Sequence, residues 1–403
     1  MHLVAVFWLI VVFAFSACVG SFLNVLIHRL PRGESIVFPS SHCPSCGRAI
    51  RWYDNIPLVS WFVLRGRCRY CKRAISPRYI IIEAGTAAIL TGLYACYYVL
   101  DLRDGVGAFR ESWPMFIAHA ALLSGLLVCS VIDMDMWIIP LEVMWVCSLI
   151  GIASAAFRPH PFMPAVSAEA VAAGFAAVVG LAVADILSKT GLIQPSFLDI
   201  SYAPKPAADG RAGAGADKAK EPVSVASTAQ HGVNPRKEVL RELLFLSPAI
   251  VLAVAAGVIL RYVPAAGAAW RNLLDSKAHP ALAPHLVGCG SAVFGYLIGG
   301  LWVWGMRILG TLSFNKEAMG LGDVHILAGV GAVTGWVVPS LAFFVAPFFG
   351  LLWALYLYLA RNQRELPYGP WLALASVVVL IFHDAFTGLL GPYVRSVALL
   401  LGG

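Results

Sequence analysis

The sequence predicts an all-α fold: a polytopic membrane helical bundle of about ten spanning helices with a small cytosolic zinc-binding loop domain. Three observations predict it. Hydrophobic residues make up 59% of the chain and charged residues only 13%, with a mean hydropathy of +0.78, which excludes an ordinary soluble domain. The apolar residues gather in runs long enough to cross a bilayer. Two C-x-x-C pairs lie in a basic loop directly after the first run.

The first run covers residues 2–27. No Lys or Arg precedes it, the first basic residue is Arg29, and it continues through Val25, Leu26 and Ile27 past the small residues Ser16 and Ala17. It is therefore expected to stay as a spanning helix and not to be cleaved as a secretion signal. Residues 28–78 hold ten basic side chains, over a third of the 29 in the chain, and the positive-inside rule places that loop in the cytosol, with the N-terminus outside. Runs at 79–100, 114–132, 137–157 and 165–187 make up a membrane region over residues 79–187. The segment 188–243 then returns to the cytosol with Lys189, Lys205, Arg236, Lys237 and Arg241 among its charges. Within it, residues 203–235 are rich in Ala, Gly, Pro and charge without periodicity, the composition of a disordered linker. Glu238, Leu240, Leu243 and Leu244 form a short amphipathic lead-in to the next run. Runs at 244–263, 285–309, 324–338, 341–360 and 371–390 complete the membrane region of residues 244–403, the fifteen-residue 324–338 run being the shortest. Threading ten runs leaves the basic-poor loops 101–113, 158–164 and 264–284 outside. The net charge of +7 thus serves orientation, and no nucleic-acid partner is expected.

Cys43-Pro-Ser-Cys46 and Cys68-Arg-Tyr-Cys71 are separated by twenty-one residues. Each pair can grip one edge of a tetrahedral ion, and the loop lies in a reducing compartment, where two disulfides would not persist. Cys43, Cys46, Cys68 and Cys71 are therefore expected to bind one structural Zn2+. Cys18, Cys96, Cys129, Cys147 and Cys289 lie in apolar runs and read as small buried hydrophobes.

Ionisable residues at a membrane edge are functional candidates because each costs several kcal/mol unless solvated or paired. Asp133 and Asp135 close the third run in Ile132-Asp-Met-Asp-Met-Trp-Ile-Ile-Pro140, and Asp323 opens the eighth in Gly320-Leu-Gly-Asp323. Four runs separate them, an even number, so topology returns both motifs to one face. Gly320 and Gly322 let the backbone come close to its neighbours. Glu83 and Asp185 read as caps or interfacial charges. Two carboxylates meeting in a low dielectric share a proton, one then acting as base on a water and the other as acid on a carbonyl, which is aspartyl-protease chemistry. Asp133 and Asp135 are two residues apart, about 200° around a helix, so only one of them can face Asp323.

Several longer motifs occur in order: Gly20-Ser-Phe-Leu-Asn-Val-Leu-Ile-His-Arg-Leu-Pro31, Trp52-Tyr-Asp-Asn-Ile-Pro57, both C-x-x-C pairs, Glu317-Ala-Met-Gly-Leu-Gly-Asp323 and Leu366-Pro-Tyr-Gly-Pro370. With these motifs the chain resembles the type IV prepilin peptidases, the leader peptidase and N-methyltransferase family of GxGD aspartyl proteases. The resemblance implies cleavage of the basic leader of type IV prepilins and type II secretion pseudopilins at the cytosolic face, after a glycine. Methylation of the new N-terminus from S-adenosylmethionine would follow. Its catalytic positions are the Asp seven residues before the first-motif Pro, here Asp133, and the Asp of GxGD, here Asp323. Asp135 and His325 become supporting groups.

Three departures stand out. His325 replaces the usual Lys two residues after the GxGD Asp, Leu141 follows Pro140 in place of Asp or Asn, and about 190 residues separate the two acids where the family usually needs two helices. The added linker and helix pair read as tolerated. Rival readings are a cleavage-only peptidase, a proton-coupled transporter and a non-enzymatic assembly factor. The sequence contains no internal repeat, and both acids lie at helix ends instead of the midplane, which argues against the transporter.

Overall fold

The computed structural model describes residues 2–103, 105–158, 163–164, 166–194, 235–315, 317–361 and 367–389. The expected linker at 203–235 lies, except for Pro235, outside these residues. Twelve α-helices follow one another with no strand among the described residues: α1 (His2–Arg29), α2 (Val59–Val63), α3 (Arg78–Tyr98), α4 (Phe109–Met136), α5 (Leu141–Phe157), α6 (Ala168–Lys189), α7 (Pro235–Tyr262), α8 (Pro264–Leu273), α9 (Ala283–Phe314), α10 (Leu321–Thr334), α11 (Val337–Arg361) and α12 (Gly369–Ile381).

The apolar runs of the sequence each fall largely on a helix. By length and composition seven of them can cross a bilayer, and α12 with the short helix His383–Leu389, bent from it by 82°, makes an eighth, broken span. The chain is a multi-pass membrane protein. At 1.5 Å per residue the fourteen-residue α10 is about 21 Å long and α5 about 26 Å, both short of a hydrocarbon core of about 30 Å. For α10 the shortness is matched by shielding. In α10 every residue from Ile326 to Thr334 is buried by other helices, so its ends meet protein and not lipid. The outer helices have the opposite character: on α11, Phe348, Leu351 and Leu352 are each about 70% exposed, as a lipid-facing surface requires.

Glycines bring α9 and α10 into backbone contact. A Cβ on Gly295 would lie 2.2 Å from the Gly331 carbonyl oxygen, and one on Gly299 would lie 2.1 Å from that of Leu327. Without a hydrophobic force between helices in lipid, such small-residue contacts supply the packing. Around α10 stand α4, α5, α9, α11 and α12, sharing one core through Leu122, Leu126, Met144, Val303, Leu327 and Leu372. The α1–α3 pair joins it through Leu23, Ile27, Ile82, Val128 and Ile132. The α6–α7 pair attaches through α9.

Candidate active site

The C-terminus of α4 and the N-termini of α10 and α12 converge at the end of the bundle from which the cysteine loop emerges. Helix α4 stops because Trp137 turns left-handed, with φ 59°, while its amide donates to the Asp133 carbonyl at 3.0 Å. Pro140 then starts α5. Asp133 sits in the last turn of α4 and Asp323 in the first turn of α10; their exposures are 6% and 7%, and they lie within electrostatic reach of each other. Oδ1 of Asp323 has no hydrogen-bond partner among the described residues.

The glycines differ in what they permit. At Gly322 a Cβ would fall 2.5 Å from Cβ of Ile139, so this glycine lets the 137–140 turn wedge against α10. At Gly320, the residue before α10, a Cβ would meet Oδ2 of Asp323 at an ordinary 3.7 Å. Gly369 was not singled out as a site residue, yet a Cβ there would lie 2.7 Å from Oδ2 of Asp133, and its amide faces that carboxylate. The preceding Tyr368 lies within electrostatic reach of Asp323. The Tyr-Gly-Pro of the last motif thus forms a third wall of the site.

The supporting groups lie elsewhere. Asp135 is exposed and ion-paired with Arg78 at the start of α3. His325 turns from Asp323 toward α5, where its Nδ1 accepts from Trp145 Nε1 at 3.3 Å. Glu83 accepts from the Leu58 amide at 2.8 Å, and Asp185 pairs with Lys189 one turn on. A basic residue inside an apolar helix was also overlooked. Arg307 of α9 is 2% exposed; it donates to the Met319 carbonyl at 2.9 Å, pairs with Glu242 at 2.7 Å and Glu317 at 2.9 Å, and lies within electrostatic reach of Asp323.

The cysteine loop folds as two matching knuckles. The Cys43 amide donates to the Arg48 carbonyl and the Gly47 amide to the Cys43 carbonyl, both at 2.9 Å; in the second knuckle the Cys68 amide donates to Arg73 at 2.9 Å and the Lys72 amide to Cys68 at 3.0 Å. Gly47 and Lys72 occupy the same left-handed position, with φ 66° and 60°. Arg48 of the first knuckle stacks on Tyr70 of the second at 4.9 Å, and Arg69 forks onto Asp54. The Sγ atoms of Cys43, Cys46, Cys68 and Cys71 all lie within 4.8 Å of one another, with Cys43 and Cys71 at 3.8 Å. A zinc tetrahedron with bonds of about 2.3 Å has an edge of about 3.8 Å, so the residues fit the ion. The amides of Ser45 and Cys46 pull the Cys43 thiol down to about 6, and those of Cys71 and Tyr70 lower Cys68. Both become ready thiolate ligands.

Residues 14–97 match the Bacterial Peptidase A24 N-terminal domain. The chain is 46% identical over 146 residues to a protein of Myxococcus xanthus named prepilin leader peptidase/N-methyltransferase, a match covering 36% of this chain and 39% of that relative. Proteins of the same name from Aeromonas salmonicida and Pseudomonas aeruginosa are each 24% identical, over 93% and 92% of this chain and 91% and 88% of their own length. No solved structure matches. The domain match at the N-terminal end and the similarity along nearly the whole chain agree: the chain is similar over most of its length to proteins named prepilin leader peptidase/N-methyltransferase.

Proposed function

We propose that the protein cleaves the leader of type IV prepilins and pseudopilins at the cytosolic face of the inner membrane, and then N-methylates the new terminus. Asp133 and Asp323 are the catalytic pair in this reading. The observation that carries it is the meeting of two buried carboxylates at one end of the bundle, with Oδ1 of Asp323 left without a partner among the described residues. In this mechanism one carboxylate takes a proton from a water as the water oxygen bonds to the scissile carbonyl carbon, while the protonated partner donates to the carbonyl oxygen. The tetrahedral carbon then expels the peptide nitrogen, which leaves as an amine carrying a proton from the first acid.

The domain scheme belongs to the same proposal: 1–27 as first spanning helix, 28–78 as zinc module, 79–187 and 244–403 as the two membrane regions, and 188–243 as a cytosolic linker. The ten basic residues of 28–78 support the cytosolic placement of that end. The peptidase/N-methyltransferase names of the relatives do not favour the transporter, assembly-factor or cleavage-only readings. Methyl transfer requires S-adenosylmethionine, which brings an amino-acid carboxylate that needs a free cation. A cavity of about 360 Å³ beside the zinc module is lined by Arg29, Glu34, Phe38 and His42. Arg29 there already donates to the Ser35 and Pro39 carbonyls at 2.9 and 2.7 Å, so the residues of this cavity do not fit the cofactor.

The test is mass spectrometry of a prepilin incubated with the purified protein and S-adenosylmethionine. A product beginning after the leader glycine, heavier by one methyl group, is expected; an intact prepilin would reject the reading.

A further inference from the structure

We infer that α7, part of the segment that lengthens the chain between the two catalytic acids, positions Asp323 through a buried ionic relay from Glu242 to Arg307 to the turn before α10. The inference rests on the prepilin-cleavage reading.

Glu242 lies two turns into α7 with 3% exposure, facing α9. Its Oε1 accepts from Arg307 Nε at 2.7 Å, and its Oε2 accepts from Trp304 Nε1 at 3.1 Å, so both oxygens are engaged by α9. The other edge of the same guanidinium reaches the turn. Nη1 of Arg307 donates to the Met319 carbonyl at 2.9 Å and stands 2.9 Å from Oε1 of Glu317. Met319 is one residue before Gly320, from which α10 starts, and Asp323 lies in the first turn of that helix. The turn is also pressed against α9, since a Cβ on Gly310 would fall 2.5 Å from Cβ of Ala318. Arg307 thus fixes the backbone that aims Asp323, and Glu242 fixes Arg307.

The arrangement is costly unless it does something. A cation buried at 2% exposure in a membrane bundle requires a partner, and the planar guanidinium can hold a carboxylate on one edge and a carbonyl on another, which the point charge of a lysine cannot. Helix α7 also joins the chain on both sides of residues 195–234, because Arg241 donates to Glu238 at 2.5 Å and to Gln194 at 2.8 Å. A helix pair that was merely accommodated would need only apolar packing of the kind seen where Gly180 admits Ala249 of α7, a Cβ there falling 2.4 Å from its Cα. Neither Glu242 nor Arg307 touches substrate in this account. They are positioning residues, and their loss should show in turnover and not in substrate affinity.

The full-length protein in detergent is assayed on a purified prepilin, with kcat and KM measured separately for wild type, Glu242→Gln, Arg307→Lys and the neutral double variant Glu242→Leu/Arg307→Met. The inference expects kcat to fall at least tenfold in Glu242→Gln and in the double variant, with KM within twofold of wild type. Arg307→Lys should fall less than the double variant but still severalfold, because it keeps the ion pair and loses the link to Met319. The double variant keeps α7 docked through apolar contact, and Arg307→Lys keeps the charge. Whichever variants accumulate as monodisperse protein decide the case. Wild-type kcat in any of them overturns the relay, as does a fall that lies wholly in KM. A wild type unable to cleave prepilin overturns the cleavage reading and the relay with it, which separates the two failures.

Discussion

Replacing Gly369 by alanine puts the geometry of the proposed catalytic pair under direct strain. The new Cβ would lie 2.7 Å from Oδ2 of Asp133, while ordinary contact begins at 3.4 Å, so the carboxylate or the start of α12 must move by about 0.7 Å. The other close neighbours, Cδ1 of Ile139 at 3.2 Å and Cδ1 of Ile326 at 3.3 Å, are side-chain tips that can give way. A catalytic group displaced by about 1 Å loses about 100-fold in rate, so Gly369→Ala should lower kcat by about 10- to 100-fold. Gly320→Ala provides the contrast, since its Cβ meets Asp323 at 3.7 Å with the backbone at φ −71°, and should stay within about threefold of wild type. Initial rates of prepilin cleavage by equal amounts of folded protein, read on a gel or by mass spectrometry, provide the assay. Equal rates for the two variants, or a slower Gly320→Ala, would refute the idea that the 369 backbone is fitted around the Asp133 carboxylate.

Metal analysis of the purified protein should find one zinc per chain, lost in Cys43→Ser or Cys68→Ser; zinc retained by either variant would contradict the four-thiolate site. Gly322→Ala drives a Cβ to 2.5 Å from Cβ of Ile139, where no flexible end can yield, and should destabilise the bundle by about 1–3 kcal/mol, seen as a lower Tm in detergent. An unchanged Tm would show that the 137–140 turn is not wedged there. The Arg69 hydrogen bonds hold the Asp54 carboxyl below its ordinary range, so their stabilisation of the cysteine loop is full above that range and lost as pH falls below it through the lowered value of the folded loop. Asp54→Asn should therefore reduce the acid sensitivity of loop melting, followed by Trp52 and Trp61 fluorescence, and an unaltered acid limb would count against the pairing.

The helices were legible because lipid-facing and buried residues alike must be apolar, so every span announces itself by composition. The run 324–338 stood out as the shortest, but that α10 is wrapped by protein was not legible, because it is a property of packing that composition does not carry. The acids stood out by cost and the cysteines by spacing: Asp323 opens an apolar run, where a charge needs a reason, and two C-x-x-C pairs make one ligand set. Gly369 could not, since its role is a distance to a side chain more than two hundred residues away. Arg307 was within reach. A buried charge needs a purpose whatever its sign, and Arg307 is the one Lys or Arg in the apolar run 285–309. Glu242 lay at the edge of a run, where a charge looks ordinary until its partner is known.

The central claim is that Asp133 and Asp323 work together on a prepilin. The measurement that tests it most directly is time-resolved mass spectrometry of prepilin cleavage by wild type, Asp133→Asn, Asp323→Asn and Asp135→Asn, each purified as folded protein. The account predicts cleavage after the leader glycine by wild type, none by Asp133→Asn or Asp323→Asn, since an amide neither takes a proton from water nor donates as an acid does, and slower but measurable cleavage by Asp135→Asn, whose exposed pair with Arg78 lies outside the site. Cleavage by Asp133→Asn alongside an inactive Asp135→Asn would contradict the assignment of the pair, and cleavage by Asp323→Asn would contradict the aspartyl mechanism itself.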